Sequence, residues 1–217
     1  MENKLWTINI VLLLTAAFIF AACSSGLENL STAKENIIKY YKSGKYDKDV
    51  NSVVGKAINK FEDFSPAKND AVVFDIDETV LSNYEFNKSC DFGYDNGLWD
   101  NWVKEAKAPP IEGVKKLYDF FVSKNLKIIF ITGRNDNQYK STYRNLFSAG
   151  YNKFDTLIVR KPREYDLTAL DYKSEERAAL TKEGIHIVCD VGDQYSDLDG
   201  PDHGYQVKIP NYMYIIN

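Results

Sequence analysis

The 217-residue sequence is short of positive charge and of cysteine: 27 lysines and arginines face 31 aspartates and glutamates, for a net charge of -4, and there are three cysteines. With that balance, and with no lysine and arginine stripe interleaved with aromatics, the chain has no general attraction for phosphate backbones, which argues against a nucleic acid polymer as partner. Glycine (12) and proline (6) are too few for collagen or low complexity. The even mix of apolar (44%) and charged (27%) residues instead suits one substantial folded core.

The first 22 residues do not belong to that core. Lys4 precedes LWTINIVLLLTAAFIFAA, an uncharged, mostly apolar stretch that ends in small residues directly before Cys23. This is the composition of an export signal. The segment FAAC resembles the lipobox of bacterial lipoproteins, in which the cysteine is diacylated and becomes the new N-terminus. The resemblance implies an exported lipoprotein held in the cell envelope, at the outer membrane or cell surface, by lipid on Cys23. An uncleaved membrane anchor is the alternative, since the stretch is near the roughly 18-residue minimum for spanning. Export would place Cys90 and Cys189 in an oxidising compartment where they can pair. The apolar run GIHIVCD instead favours a buried free thiol at Cys189.

Residues 23–30 read as a tether and residues 31–217 as the folded domain. Ser31 is a candidate N-cap, and Ile37, Ile38 and Tyr41, then Val50, Val53, Val54, Ala57 and Ile58, recur at helical spacing on either side of a KSGKYD break. Two short helices are expected over 31–65. Beyond them AVVFDID, LKIIFIT, FDTLIVR, IHIVCDV and YQVKI alternate with helical patterns at 111–124, 139–149 and SEERAALTKEG. Continuously apolar strands between amphipathic helices predict an α/β fold, a doubly wound (Rossmann-like) parallel sheet. Residues 81–110 are irregular and rich in aromatics, and are expected to form a small inserted cap over the strand ends or a hydrophobic cluster sealing the sheet edge.

Asp75 and Asp77 leave the first strand on one side, at the edge where open α/β sheets hold ligands. Two such close carboxylates need a cation or a shared proton, which suits a hard divalent ion and an acid/base role. Thr132, Gly133 and Arg134 end the second strand, and Asp190, Asp193, Asp197 and Asp199 follow the strand IHIVCDV.

The set DIDET, ITGR, YKSEER and GDQYSD resembles the four motifs of the haloacid dehalogenase superfamily in its phosphatase form. DETVLSN, WVKEAKAPPIEGVKKLY, GDQYSDLDG and VKIPNYMYII narrow the resemblance to the acid phosphatase branch that includes bacterial lipoprotein acid phosphatases and plant vegetative storage proteins. It implies Asp75 as nucleophile, Asp77 as general acid and then base, and Thr132, Gly133 and Lys173 as phosphate holders. It further implies Mg²⁺ held by Asp75, the backbone carbonyl of Asp77 and Asp193, with Asp197 in support. A carboxylate approaches a phosphate dianion only with cationic help. Asp77 must carry a proton at the first step, so activity is expected to favour mildly acidic pH.

Lys161 is a second candidate for the phosphate lysine. Arg177 reads as pairing with a local acid or forming a surface salt bridge, Asp190 and Asp199 as capping or solvated acids, Arg134 as steadying a loop, and His186 and His203 as structural. Trp99 or Trp102 with Tyr214 form a slot for a planar group beside the phosphate. The resemblance thus implies a small phosphomonoester substrate, a nucleoside 5′-monophosphate (5′-nucleotidase activity) or simple aryl and alkyl phosphates. A catalytically idle storage or binding protein is the rival reading, weakened by the intact reactive set; oligomeric state is not legible.

Overall fold

The computed structural model describes residues 27–216, and the chain divides into two compact units, residues 1–35 and 36–217. The expected signal at 1–22, Cys23 and the first half of the tether lie outside the described residues. Among those that are described, no helix is long and apolar enough to cross a membrane.

Helix α1 spans Leu30–Lys42. Its cap is Asn29, whose side-chain oxygen accepts the Ser31 N–H at 3.0 Å, so Ser31 lies inside the helix it was expected to cap. Gly44, at φ 79°, breaks the chain before α2, Lys45–Phe61. That helix is longer than expected because the buried stripe Tyr46, Val50, Val54, Ala57 and Phe61 continues at helical spacing to its end.

Five parallel strands follow: β1 (Asp70–Phe74), β2 (Lys127–Asn135), β3 (Thr156–Arg160), β4 (His186–Gly192) and β5 (Tyr205–Lys208), in the order β3-β2-β1-β4-β5. Val72 pairs with Ile128 on one side and Cys189 on the other. Alternate residues build two cores. Val72, Phe74, Ile128 and Phe130 pack with α2 and with α5, Glu112–Ser123, while Ala71, Val73, Ile129 and Ile131 pack with Tyr172 and Leu180 of α7, Ala169–Lys182. This is the doubly wound α/β sheet that the alternating pattern predicts.

The stretch expected to be irregular contains two helices, α3 (Tyr84–Ser89) and α4 (Asn96–Glu105), the second capped by Asp95 accepting from Leu98 N–H at 2.8 Å. Their packing is aromatic, Phe86 lying 5.2 Å from Trp99 and 5.9 Å from Trp102 between ring centroids. Such short helices carry too few turns to show a periodic signal. Helix α6 is Tyr139–Ser148. Helix α7 starts five residues earlier than the SEERAALTKEG pattern suggested because the Thr168 hydroxyl caps it, accepting from Asp171 N–H at 3.1 Å. Lys173 is thereby placed on a helix rather than in a loop. Cys90 and Cys189 are both free, and Cys189 is buried in β4.

β1 leads to β2 on one side, whereas the chain returns from β3 across the sheet to β4 on the other. The winding reverses between β1 and β4, and the crevice beyond their carboxyl ends is where such sheets bind ligands.

Candidate active site

Asp75 stands directly after β1, its N–H donating to the Val191 carbonyl of β4 at 2.9 Å. Lys173 reaches it from α7, with Nζ 2.5 Å from Asp75 Oδ1, and also donates to Asp197. Asp193 follows β4. It accepts from Thr79 Oγ1 at 3.2 Å, from Gln194 Nε2 at 2.5 Å and from Asn211 Nδ2 at 2.7 Å. Asp197 closes the group from the turn Tyr195–Asp197, accepting from Gln194 N–H at 2.8 Å. Gly192 makes this possible, since a Cβ there would lie 2.2 Å from the Asp197 Cβ.

One oxygen from each of Asp75, Asp193 and Asp197 lies within 4.8 Å of the others, and all three side chains are buried. Burial pushes the Asp75 carboxyl well above its usual range, although Lys173 opposes the shift. Burial, then the charges of Asp197 and Glu78, push Asp193 up to about 7. Burial alone would lower the Lys173 ammonium, but Asp197 and Asp75 outweigh it and its pKa rises. Lys173 pairs with Asp75 and Asp197 and Lys208 donates to the Asp193 carbonyl, which leaves the Asp193 carboxylate without a paired ammonium among the described residues. An oxygen-only donor set of three buried carboxylates fits a hard divalent cation.

Asp77 faces a different set of donors. Arg134 NH2 lies 2.6 Å from its Oδ1, Arg134 Nε is 3.2 and 3.0 Å from Oδ1 and Oδ2, and Asn83 Nδ2 is 2.8 Å from Oδ1. Arg134, expected to steady a loop through hydrogen bonds, is buried and grips the second aspartate of the pair in the loop that follows β1. Its guanidinium also sits 5.5 Å over Trp99. Next in sequence, Glu78 is buried at φ 58°, a strained conformation held by Asn83 N–H at 2.7 Å and by the Tyr214 hydroxyl, which donates to Oε2.

A cavity of about 740 Å³ opens onto these groups. Asp75, Asp77, Gly133, Lys173, Asp193, Asp197, Trp99 and Tyr214 line it. Two expected site residues do not. Thr132 is fully buried, its hydroxyl oxygen accepting from Arg134 N–H at 3.2 Å. Trp102 turns its indole away and donates from Nε1 to Asn83 Oδ1 at 2.8 Å. Lys161 is exposed and off the cavity lining, so of the two lysines only Lys173 reaches the carboxylates. Arg177 forms no surface salt bridge; it is fully buried and donates to the carbonyls of Asp197 and, through NH2, Asp199, fixing the loop that carries Asp197. Asp190 is not solvated but buried in β4, accepting from Gly204 N–H at 2.7 Å. Sequence reasoning assigned no role to Asn83, Glu78, Gln194 or Asn211, whose polar side chains within otherwise apolar or Gly-rich motifs were the available signal.

Burial, as the main cause, raises Glu78 to about 7 and Asp190 to about 6. These acids and Asp193 hold protons more tightly folded than unfolded, so between about pH 4 and 7 the native state binds more protons and stability falls as pH rises. The depressed acids Asp70 and Glu164 act below that window. Metal-free protein is expected to show a falling unfolding midpoint from pH 4.5 to 7.5; a rising midpoint would contradict the burial of these acids.

A Rossmann-like sheet with an aspartate pair after its first strand, met in the same crevice by a lysine and two further aspartates, defines the haloacid dehalogenase class of proteins. Within it the chain belongs to the acid phosphatase family, subfamily IIIB of the HAD superfamily, whose model matches residues 16–217. It is 38% identical over 151 residues to acid phosphatase 1 of Solanum lycopersicum, covering 68% of this chain and 59% of that protein, so it spans less than two thirds of that relative. It is 35% identical to the stem 28 kDa glycoprotein of Glycine max, over 82% of this chain and 72% of the relative. It is also 32% identical to vegetative storage protein 1 of Arabidopsis thaliana, over 69% and 57%. A class C acid phosphatase from Bacillus anthracis, solved with tungstate bound, shares the fold at a TM-score of 0.69 and 23% identity, covering 86% of this chain and 85% of that one.

These curated relatives are plant proteins, not bacterial lipoproteins, and they give no support to the expected envelope lipoprotein anchored through Cys23, which is corrected accordingly. An apolar stretch ending in small residues is a compositional signal, and it lies outside the described residues.

Proposed function

We propose that the chain is a metal-assisted phosphomonoesterase that works through an aspartyl-phosphate on Asp75. The observation that carries this reading is the buried carboxylate triad Asp75, Asp193 and Asp197 at the winding reversal, with Lys173 against Asp75 at 2.5 Å. An Asp75 oxygen attacks phosphorus while the bond from phosphorus to the ester oxygen breaks, and Asp77 supplies the proton to the departing oxygen. Asp77 then takes a proton from the water that attacks the phosphorus, and the bond to Asp75 breaks. Lys173 offsets charge on the transferring group. Asp75, Asp193, Asp197 and the Asp77 carbonyl would hold a divalent cation, Mg²⁺ on this reading, which when bound would supply the further positive charge that an anion needs to attack an anion.

Gly133 lines the cavity, and a Cβ there would meet nothing within 4 Å, so the rim beside the proposed phosphate position is open. The cavity is large enough for a nucleoside 5′-monophosphate, whose base would lie between Trp99 and Tyr214. Phosphate release from nucleotides, sugar phosphates and p-nitrophenyl phosphate, measured with Mg²⁺ and with chelator, tests the reading. Release that requires Mg²⁺ and is fastest with nucleotides is expected, at mildly acidic pH. No release from any ester would favour the idle role suggested by the storage-protein relatives.

A further inference from the structure

The general-acid role gives Asp77 two duties in proton transfer but leaves open which of its oxygens performs them. On Oδ1 converge Arg134 NH2 at 2.6 Å, Arg134 Nε at 3.2 Å and Asn83 Nδ2 at 2.8 Å. Oδ2 receives Arg134 Nε alone, at 3.0 Å. An oxygen already occupied by several donors has no lone pair left for a further partner. The free valence of Asp77 therefore lies on Oδ2.

The asymmetry depends on Asn83. Its amide can present either oxygen or nitrogen to Asp77, and only nitrogen donates. Trp102 settles the choice: an indole N–H is a donor and never an acceptor, and it lies 2.8 Å from Asn83 Oδ1. That bond forces Nδ2 toward the carboxylates, 2.8 Å from Asp77 Oδ1 and 3.4 Å from Glu78 Oε2. Asn83 is fully buried, and its backbone N–H is spent on Glu78 Oε1 at 2.7 Å, so it has no freedom to reorient. Trp102 belongs to α4 of the cap, which reaches the acid through this amide and, through Trp99, the face of Arg134.

We propose that Asn83, locked in orientation by the Trp102 indole N–H, is a positioning residue that reserves Asp77 Oδ2 for proton transfer, so that the cap helix controls the protonation of the leaving oxygen. This rests on the assignment of Asp77 as general acid. In the step concerned the Oδ2–H bond breaks, the proton goes to the ester oxygen, and that oxygen keeps the electron pair of its broken bond to phosphorus.

A nitrophenolate leaves without a proton, whereas an alkoxide does not. kcat/KM, which reports events up to phosphoryl transfer, is therefore compared for p-nitrophenyl phosphate and glycerol 2-phosphate in the full chain with Mg²⁺. Trp102→Phe keeps an aromatic ring but removes the N–H together with the five-membered ring that carries it; the packing loss falls on both esters alike, and the glycerol ester is expected to drop about tenfold more than the nitrophenyl ester. Asn83→Ala is expected to show a larger split of the same sign; if it does not fold, Trp102→Phe decides alone. Asp77→Ala serves as reference, with an expected split of about 100-fold. Equal losses on both esters in Trp102→Phe, with the split present in Asp77→Ala, would overturn the role of Asn83 and leave the acid assignment standing. Equal losses in Asp77→Ala would remove the acid assignment itself.

Discussion

Asp75→Asn is expected to lower phosphate release about 10⁵-fold while the protein stays folded. The amide keeps the shape of the side chain and its backbone hydrogen bond to Val191, but it cannot form an acyl phosphate by attack on phosphorus. The fold should tolerate the change, because burial already disfavours the ionised form of Asp75. Lys173 keeps Asp197 as a partner. Phosphate release and thermal unfolding, measured on the same preparation, separate the two effects. Turnover within tenfold of the parent would take Asp75 out of the chemistry.

Lys173→Met is expected to damage stability as well as rate. The side chain is about 7% exposed and pairs with two carboxylates, so its removal leaves Asp75 and Asp197 buried beside Asp193 without their ammonium. Breaking one partner from a buried pair costs about 3–5 kcal/mol. For a chain of this size that lowers the unfolding midpoint by roughly 10 °C. A divalent cation should recover more of this loss in the variant than it adds to the parent, because it supplies the missing charge to the same oxygens. Loss of the charge that faces the transferring phosphoryl group should lower kcat/KM about 10³-fold. An unchanged midpoint in metal-free protein would show that the three acids do not depend on Lys173.

Asp75 stands out in the amino-acid sequence alone, whereas Lys173 enters through the family resemblance of YKSEER. Asp75, Thr132 and Asp193 each follow an apolar run, and an apolar run in a doubly covered parallel sheet stops where the strand leaves the core. The strand order, by contrast, rests on the crossing from β3 to β4, which nothing local encodes. The short helices α3 and α4 were illegible for want of turns. Arg177 read as a partner of a local acid or a surface salt bridge and Asp190 as a capping or solvated acid, because charge usually signals exposure; here the carbonyls of Asp197 and Asp199 and the N–H of Gly204 compensate their burial. The N-terminal composition misled on location, since an apolar stretch says little about the protein that follows it.

The partners of the site side chains lie far apart along the chain. Arg134 meets Asp77 across 57 residues, Lys173 meets Asp75 across 98, and Tyr214 meets Glu78 across 136. The sequence by itself determined which strands are buried and which acids stand at their ends, because burial on two faces demands unbroken apolar runs and leaves polar groups only where they stop. Only the tertiary structure decided which donor each acid receives, and with it the division of Asp75 and Asp77 into separate environments. Hydrogen bonds are short and directional, so their pattern depends on the packing of remote elements and not on spacing along the chain.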